Sequence, residues 1–493
     1  MRPRDIHLLG RVCCRAHEGY CHNQSFGGFT AKTDIFIIRA WEKNNVIKFS
    51  SKNTQPGKKK GFFIMKTVGI IAEYNPFHHG HLYQIRQLKS RTGADFVVAA
   101  MSGDFVQRGK PAIYDKYTRT RMALNSGVDL VLELPVCFAT GSAEDFAACG
   151  VALLERLGVV DVLGFGSESG DCQKLFQVAS VLAEEPNEYV LKLQNLLKQG
   201  VSFPAARAAA IEHCYGDSLK SLLLTPNNIL AIEYLKALIR RDSPIKPVTV
   251  RRIGQGYHDT AAAKQEIFAS ASAIRKAIRE NNYAMVRRQL PQEVLAVLQN
   301  MPDECPFPEY TDEKTLSGSP MPVFSDDFSE LLNSRLLNLA HQEQENPFGV
   351  YADMAPELAR RLQKNLLNFD SFSGRVMQLK TRSYTYTRIS RALLHLLLGI
   401  TAEQTLFYRE QDYVCYARIL GFRRQSRLLL SQISRNSSLP LITKTADAHK
   451  KLDAGSLAML QMDFYASHLY QSLVFSRSGK KMNNEYTQSV IIL

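Results

Sequence analysis

Residues 67–84, TVGIIAEYNPFHHGHLYQ, form the stretch of sequence that decides the fold. The apolar run at 67–72 predicts a buried strand, and residues 79–93 have the pattern of a helix that ends at a glycine. Asn75 and Pro76 lie between these two elements and set the bend from strand to helix. A buried strand that leads through a short loop into a helix is typical of the start of a βαβ unit.

The same alternation of strand and helix continues outward from this stretch. The predicted strands are 95–101, 128–134 and 159–166, and the helices between them are 112–127 and 142–158. Ser142 is the expected N-cap of the second helix. Apolar strands joined by single helices predict a parallel sheet covered on both faces, with ligands bound beyond the carboxyl ends of the strands.

The rest of the chain predicts a second, different region. Residues 171–245 and 270–290 are mostly helical in pattern, and a strand is expected at 246–254. We therefore expect a Rossmann-like α/β domain followed by a mostly α-helical C-terminal domain. The predicted boundaries are an N-terminal extension at 1–64, the α/β domain at 65–300, a Pro-rich linker at 301–327 and the helical domain at 328–493.

The composition is that of an ordinary globular protein. Of the 493 residues, 45% are hydrophobic and 22% charged, which excludes a disordered, collagenous or coiled-coil chain. We find no run of 18 apolar residues, so we expect no membrane-spanning helix and no membrane partner. The net charge of +14 favours a polyanionic partner, most simply nucleic acid.

The N-terminal extension differs in character from the rest of the chain. It holds 12 Lys and Arg but 4 Asp and Glu, has no sustained period, and ends directly before the first strand. We expect Met65 to be the true start and residues 1–64 to be spurious or disordered; a basic nucleic-acid arm or a transit peptide are the alternatives. Metal-capable side chains occur here without the paired spacing of a zinc finger, at Cys13, Cys14, His17, Cys21 and His22.

The six cysteines after Met65 are scattered and form no CxxC pair. This usage indicates a reducing compartment, so we expect a cytoplasmic protein. No metal-binding residues are predicted in the chain.

The strongest chemical signal is the segment from Pro76 to His81, PFHHGH. A helix N-terminus attracts anions, Gly80 allows close approach of the backbone, and His78 and His81 lie on one side of the first turn, where they can donate to phosphate oxygens. This arrangement suits attack on the α-phosphate of a nucleoside triphosphate, with both histidines at an exposed helix start. An HxxH zinc site and a purely structural helix start are the alternatives.

The PxHxGH pattern resembles the signature of the nucleotidyltransferase superfamily, whose HxGH motif class I aminoacyl-tRNA synthetases share. Ala72 and Tyr74 depart from the glycine and phenylalanine that usually begin it. A second element of the superfamily, a Ser-rich turn of the form SSTxIR, resembles FASASAIR at 268–275. It supplies the candidate phosphate-binding residues Ser270, Ser272 and Arg275; a simple N-cap is the alternative for either serine.

Longer strings look like the bacterial tRNA(Met) cytidine acetate ligase family. They include GIIAEYNPFHHGHLYQI, MSGDFVQRGKPA and KTRSYTYTRISRALLHLLLGI, and the resemblance runs from Met65 nearly to the C-terminus. It implies a HUP-type nucleotidyltransferase domain at 65–300 and a tRNA-binding domain at 328–493. It also implies that ATP, with Mg²⁺, activates acetate to acetyl-adenylate, and that the acetyl group passes to the exocyclic amine of the wobble cytidine of elongator tRNA(Met).

The resemblance carries an ATP site onto specific positions, with His78 and His81 as catalytic residues. Gly166, Asn227 and Arg252 match other nucleotide contacts, although Asn228 and Arg251 are rivals for two of them. An ordinary turn, an N-cap and a surface arginine are their structural alternatives. The ATP-binding segment comprises Ile71, Ala72, Glu73, Tyr74, Asn75, Pro76, Phe77, His78, His79, Gly80, His81, Leu82, Tyr83 and Gln84.

Two further groups are candidates for substrate contacts. Glu73 is expected in the mouth of the site, facing substrate hydroxyls or magnesium, and a rim of the site is expected at Asp104, Gln107, Arg108 and Lys116. Basic residues interleaved with tyrosines suit RNA phosphates and unpaired bases. The candidate tRNA-binding residues are Lys380, Arg382, Tyr384, Tyr386, Arg388 and Arg391, with Arg418, Arg423, Arg424 and Arg427 in a second segment. A solvated face is the alternative for each group.

Two other functions remain open at this point. One is a nucleotidyltransferase that adenylylates a small phosphorylated substrate, and the other is a non-catalytic RNA-binding protein on the same fold. The basic helical region argues against the first, and the intact His78, Gly80 and His81 argue against the second.

Overall fold

Strands and helices alternate through the computed structural model of the protein, which describes residues 65–253, 268–298, 320–342 and 346–493. The strands are β1 Thr67–Ala72, β2 Phe96–Ser102, β3 Phe105–Val106, β4 Lys110–Pro111, β5 Leu130–Leu134, β6 Val162–Ser167, β7 Lys246–Arg251, β8 Ala417–Phe422, β9 Leu441–Ile442 and β10 Ile491–Ile492. The first helices are α1 His79–Thr92, α2 Lys116–Asn125, α3 Val136–Ala139, α4 Ala143–Arg156, α5 Cys172–Glu184, α6 Asn187–Lys198, α7 Phe203–Tyr215, α8 Asp217–Lys220 and α9 Pro226–Arg240. The later helices are α10 Ala271–Arg279, α11 Tyr283–Gln289, α12 Gln292–Val297, α13 Ser329–Ala340, α14 Pro356–Lys364, α15 Phe372–Leu379, α16 Tyr386–Leu398, α17 Ala402–Glu410, α18 Arg427–Asn436 and α19 Ala454–Ser478.

Within the described residues, one eight-stranded sheet has the order β10-β8-β5-β2-β1-β6-β7, with β9 also paired to β8. The five strands β5, β2, β1, β6 and β7 are parallel, which confirms the predicted sheet. From β1 the chain order runs outward in both directions, so the order reverses beside β1. A reversal of this kind opens a crevice at the carboxyl ends of the strands, where ligands bind.

The sheet is buried on both faces, as its continuous apolar strands require. Val68 and Ile70 of β1 contact one core cluster, and Ile71 contacts the other. Helix α4 begins after the predicted N-cap, since the Ser142 hydroxyl accepts from Asp145 N. The predicted boundaries of this region agree with the structure to within a few residues.

The C-terminal region corrects the expected division into an α/β domain and a separate helical domain. Residues 328–493 are mostly helical, but they also supply β8, β9 and β10 to the sheet, with β8 antiparallel to β5. Phe62–Leu493 accordingly forms one compact unit. Most of the linker predicted at 301–327, and all of the N-terminal extension with its cysteines, lie outside the described residues.

A buried ion-pair network ties β8 to the first half of the chain. The Lys116 ammonium lies 2.7 Å from a Glu133 carboxylate oxygen and 3.1 Å from one of Glu485. Arg418, near the start of β8, pairs with the same two carboxylates. Two cations and two anions thus match one another where α2, β5, β8 and the segment after α19 meet.

In the part of the chain that the structure describes, no single helix is long and apolar enough to cross a membrane. The helical segments Asp217–Leu224 and Pro226–Arg240 pass that test only as a pair, and they are bent by 106°.

Candidate active site

The two motif histidines lie where β1 passes into α1. His78 is the N-cap of α1, and its Nδ1 accepts a hydrogen bond from Gly80 N at 3.0 Å. Nδ1 of His81 accepts from His78 N at 3.3 Å. The two rings stack with centroids 3.8 Å apart and planes inclined by 27°. The sequence spacing therefore brings the two imidazoles into direct contact.

The hydrogen bonds assign the tautomer of both rings. Since each Nδ1 accepts, each neutral ring carries its proton on Nε2. Burial lowers the pKa of His78 to about 3, with Arg252, His79 and Arg275 adding to the effect. Burial and the neighbouring His78 also hold the pKa of His81 well below its usual value. Both rings are thus neutral donors through Nε2 at physiological pH.

His78 Nε2 is buried and has no hydrogen-bond partner among the described residues. A buried N–H without a partner is costly, so it is a position where an oxygen ligand is expected to bind. His78 itself is only 2% exposed, which corrects the expectation of an exposed helix start. Removing this side chain therefore affects folding as well as any ligand.

The loop before His78 is held by buried contacts. The side-chain oxygen of Asn75 accepts from Ile113 N at 2.7 Å, and the Asn75–Pro76 peptide bond is cis. Tyr74 has a φ of 47° and is buried, with its ring centroid 4.8 Å from Phe77 and 5.0 Å from His81. These contacts fix the position of the motif relative to β1.

The remaining residues of the predicted segment flank the histidines. Ile71 and Ala72 end β1, and Leu82, Tyr83 and Gln84 lie half-buried in the first turns of α1. The His79 ring is nearly parallel to that of Phe268, with centroids 6.2 Å apart, and Tyr83 lies 5.9 Å from the same ring. Phe268 was not predicted as a site residue, although it is the first residue of the segment FASASAIR.

The Ser-rich turn meets the motif through Arg275. From α10, Arg275 Nη1 donates to the carbonyl oxygen of Asn75 at 2.6 Å, and its Nη2 donates to Ser272 Oγ at 3.0 Å. Ser270 is the N-cap of α10, since its Oγ accepts from Ala273 N at 3.2 Å. The structure thus brings Arg275 and Ser272 to the motif, while Ser270 has the capping role that was its alternative.

Gly166 lies on β6, and Arg252 lies just after the neighbouring strand β7, so the two residues are adjacent. A Cβ on Gly166 would lie 3.3 Å from Arg252 Cγ, so the glycine leaves room for the arginine stem. The charge of Arg252 contributes to lowering the pKa of both histidines. The neighbouring Arg251 lies against Gly170 instead. Of the two rival arginines, the geometry favours Arg252.

Asn227 and Asn228 join the start of α9 to the loop after β6. Glu168 accepts from the Asn227 side chain at 2.6 Å and from Asn228 N at 2.7 Å, while Asn228 Oδ1 accepts from Ser169 N at 3.1 Å. Burial favours the protonated form of Glu168, but the hydrogen bonds from Asn227 outweigh it and lower its pKa. The carboxylate, not either asparagine, caps α9. Glu168 was not predicted from the sequence, although an acid at the end of a strand facing a helix start was its signal.

Two of the four rim residues are buried away from the site. Asp104 accepts from Lys116 N at 2.7 Å and from Ser467 Oγ at 2.6 Å, and burial raises its pKa to about 6. Lys116 belongs to the buried ion-pair network. The rim prediction is therefore wrong for Asp104 and Lys116. Gln107 does lie at the site, since its backbone N–H donates to Glu73 Oε1 at 3.2 Å, and Arg108 is exposed beside it.

The candidate tRNA-binding residues divide in the same way. Lys380 and Arg382 are exposed, and the Arg388 guanidinium lies 5.1 Å from the Tyr384 ring centroid. Arg391 instead forms a bidentate pair with Asp353 through Nε and Nη2, at 2.8 and 3.0 Å, so its charge is already matched by a carboxylate.

In the second basic segment, Arg418 is buried in the ion-pair network, which corrects its assignment to a surface. Arg424 and Arg427 are exposed, and Arg423 lies 3.9 Å from an Asp129 carboxylate oxygen.

No group of three or more His, Cys, Asp or Glu side chains within the described ranges is arranged to hold a metal ion. The HxxH zinc alternative also conflicts with the ring geometry, because both Nδ1 atoms accept from backbone N–H groups.

Comparison with known proteins gives a consistent result. Residues 65–486 match the model of the HIGH Nucleotidyl Transferase family. The tRNA(Met) cytidine acetate ligase of Acetivibrio thermocellus is 38% identical over 87% of this chain and 100% of its own length. That of Caldanaerobacter subterraneus subsp. tengcongensis is 40% identical over 82% of this chain and 95% of its own.

A solved structure shares the same architecture. Thermotoga maritima TmcAL, crystallised with alpha-thio ATP, superimposes with a TM-score of 0.76 at 31% identity, over 87% of this chain and 100% of that one. With a family match over most of its length and relatives of this similarity, the chain belongs to the HIGH nucleotidyltransferases and, among them, to the tRNA(Met) cytidine acetate ligase family.

Proposed function

We propose that this protein is an ATP-dependent ligase that activates acetate to acetyl-adenylate and acetylates the exocyclic amine of the wobble cytidine of elongator tRNA(Met). The observation that carries the proposal is the stacked pair of neutral histidines at the start of α1, where the buried Nε2–H of His78 has no partner in the part of the chain that the structure describes. Arg275 donates to the carbonyl oxygen of Asn75 from α10, and the charge of Arg252, just after β7, lowers the pKa of His78.

In the first step, an acetate oxygen attacks the α-phosphorus of ATP. A new P–O bond forms, the bond between the α-phosphorus and the bridging oxygen breaks, and pyrophosphate leaves with the negative charge. Nε2–H of His78 and of His81 would donate to phosphate oxygens as this charge develops, and Arg252 and Arg275 would stabilise the departing pyrophosphate. Neutral donors suit this role because they stabilise charge without giving up a proton.

In the second step, the cytidine amine attacks the acyl carbon of acetyl-adenylate. A C–N bond forms, the mixed anhydride bond breaks, and AMP leaves as the amine loses its proton. Here the protein mainly positions the amine next to the acyl carbon, because AMP is already a good leaving group.

We assign ATP binding to the segment from Ile71 to Gln84 and to Gly166, Asn227 and Arg252. Mg²⁺ usually binds through one or two carboxylates together with substrate phosphates, so a single nearby acid fits an ion that enters with ATP. Glu73 is that acid, and it already accepts from Gln107 N. The ion would add positive charge at the phosphates.

For tRNA, we propose contacts from Lys380, Arg382, Tyr384, Tyr386 and Arg388. Exposed cations beside partly exposed tyrosines can bind phosphates and stack on unpaired bases. We further propose that the reaction takes place in the cytoplasm, where a tRNA pool is free to bind.

The test is to incubate the protein with elongator tRNA(Met), ATP and acetate and to measure acetylated cytidine by mass spectrometry of the digested nucleosides. Acetate-dependent exchange of pyrophosphate into ATP, without tRNA, measures the first step alone. We expect both activities. Exchange that ignores acetate would indicate a nucleotidyltransferase with another substrate, and tRNA binding without either activity would indicate a non-catalytic protein.

A further inference from the structure

The β3–β4 hairpin lies between the ATP motif and the candidate tRNA segment. It directly follows β2, whose carboxyl end lies beside that of β1. At its turn, Gln107 N donates to Glu73 Oε1 at 3.2 Å, which joins the hairpin to the loop before the histidines. Phe105 anchors its base, with its ring 5.5 Å from that of Phe328.

The tip of the hairpin packs against the backbone of α16. Gly109 has a φ of +67°, and a Cβ there would lie 2.5 Å from Arg391 N. The Ser390 hydroxyl donates to the carbonyl oxygen of Gly109 at 2.8 Å. Only glycine fits a backbone approach of this kind, so the hairpin is fixed against the helix that begins at Tyr386.

Several cations gather along this hairpin. The Lys110 ammonium lies 5.5 Å from the ring centroid of Tyr386, and the Arg279 guanidinium lies 4.6 Å from that of Phe324. Burial and the charges of Arg275, Arg108 and Arg279 lower the pKa of Lys110, and the charge of Asp326 opposes them. Arg108 is exposed at the turn of the hairpin, two residues before Lys110, and Arg279 lies one turn after Arg275 on α10. Among the described residues, Arg108, Lys110 and Arg279 form no ion pair with a carboxylate.

Asp326 offsets part of this positive charge, and its carboxylate also accepts from Ser373 N and Oγ. The remaining like charges repel one another, and a polyanion relieves the repulsion. The group lies between Arg275, which touches the ATP motif, and Tyr386, which begins the candidate tRNA segment. An RNA strand that ran from Tyr386 to the ATP motif would pass along this group, because Lys110 lies beside Tyr386 and Arg275 contacts Asn75. The aromatic face of Tyr386 beside Lys110 adds a surface on which a neighbouring base can stack.

We propose that Arg108, Lys110 and Arg279 form a phosphate-binding strip that holds the RNA backbone next to the target cytidine. The strip rests on the proposed function, because it assumes an RNA substrate. Its residues act as positioning residues: they place the amine and take no part in the formation of acetyl-adenylate.

The test uses the full chain with Lys110→Met and Arg279→Met, singly and together. The affinity for tRNA(Met) is measured against salt concentration, and acetyl transfer is measured against tRNA concentration. We expect the double variant to bind tRNA about tenfold more weakly and to lose about 1 to 2 from the slope of log affinity against log salt. KM for tRNA should rise by a similar factor, and Lys110→Arg, which keeps the charge, should restore most of the affinity.

The matched control is Lys276→Met, one turn earlier on the same helix as Arg279, where Lys276 lies 3.7 Å from Glu280. It should bind tRNA like the unaltered protein. An unchanged affinity and salt slope in the double variant would overturn the strip, as would a loss of pyrophosphate exchange equal to the loss of transfer. Because tRNA binding is measured without catalysis, the strip is tested even if the unaltered protein forms no acetylcytidine, which would instead refute the proposed function.

Discussion

The basic side chains around the ATP motif and those beside β8 differ in the charge that faces them. In the buried ion-pair network, Lys116 and Arg418 meet the carboxylates of Glu133 and Glu485, and all four side chains are at most 3% exposed. Near the motif, Arg275 donates instead to a carbonyl and a hydroxyl oxygen. Cations matched by buried acids hold the fold together, whereas cations without such partners are available to an anionic ligand.

The largest effect is expected where the matched network is broken. Arg418→Met leaves two carboxylates buried with one cation, so it should lower the free energy of unfolding by about 3–5 kcal/mol. Denaturant unfolding measures the loss. The exposed Arg424→Met is the control and should change stability by less than about 0.5 kcal/mol. Equal stability of the two variants would contradict the structural role of Arg418.

At the motif, the loss should appear in catalysis first. His81→Ala should slow acetate-dependent pyrophosphate exchange by about 10²-fold, because it removes a donor to charge that develops in the transition state. His78→Ala should do the same and also cost about 1 kcal/mol of stability through the lost N-cap. Exchange that survives both substitutions would exclude the histidines from the first step.

The depressed pKa of His78 predicts a pH dependence of stability. The ring binds a proton near pH 6.5 in the unfolded chain but near pH 3 in the folded protein, so stability falls as the pH falls through this window. The slope for one such group is at most about 1.4 kcal/mol per pH unit. His78→Asn keeps a capping side chain but does not titrate here, so its unfolding curves should lack this contribution. Parallel pH dependences of the two proteins would show that His78 is not buried as a neutral ring.

The smallest effect is expected in the candidate tRNA segment, where exposed cations and a cation paired with an acid should respond differently to substitution. Lys380→Ala with Arg382→Ala should weaken tRNA(Met) binding several-fold and flatten its salt dependence, with stability unchanged. Arg391→Met should instead lower stability, because Asp353 loses its bidentate partner. Filter binding and thermal unfolding of both proteins test the contrast, and a reversal of the two results would refute it.

The same contrast between local features and distant partners explains which parts of the fold and the site could be predicted from the sequence. The position of His78 and His81 at a helix start and the N-cap at Ser142 are local features, so the sequence pattern predicted both correctly. Lys116 and Arg418 are residue types that usually lie on the surface, so the sequence did not indicate that they are buried. Their burial depends on a partner, Glu485, that is far away in the sequence. Likewise, the segment ARILGF has an arginine near its start and lies in a stretch predicted to be a basic surface segment, so β8 was not predicted as a strand. Charge is visible in a sequence, but the partner that neutralises it is set by tertiary contacts.

The position of β8 has a consequence for synthesis on the ribosome. The edge of β5 pairs with β8, yet 282 residues, 135–416, separate the two strands in the chain. At about 5–20 residues per second, the β5 edge waits roughly 15–60 s for its partner. During that interval the edge of β5 is unpaired, and the Lys116–Glu133 pair lacks its later partners Arg418 and Glu485. An exposed strand edge of this kind is prone to pair with other chains, so we expect the nascent chain to be a client for holding chaperones.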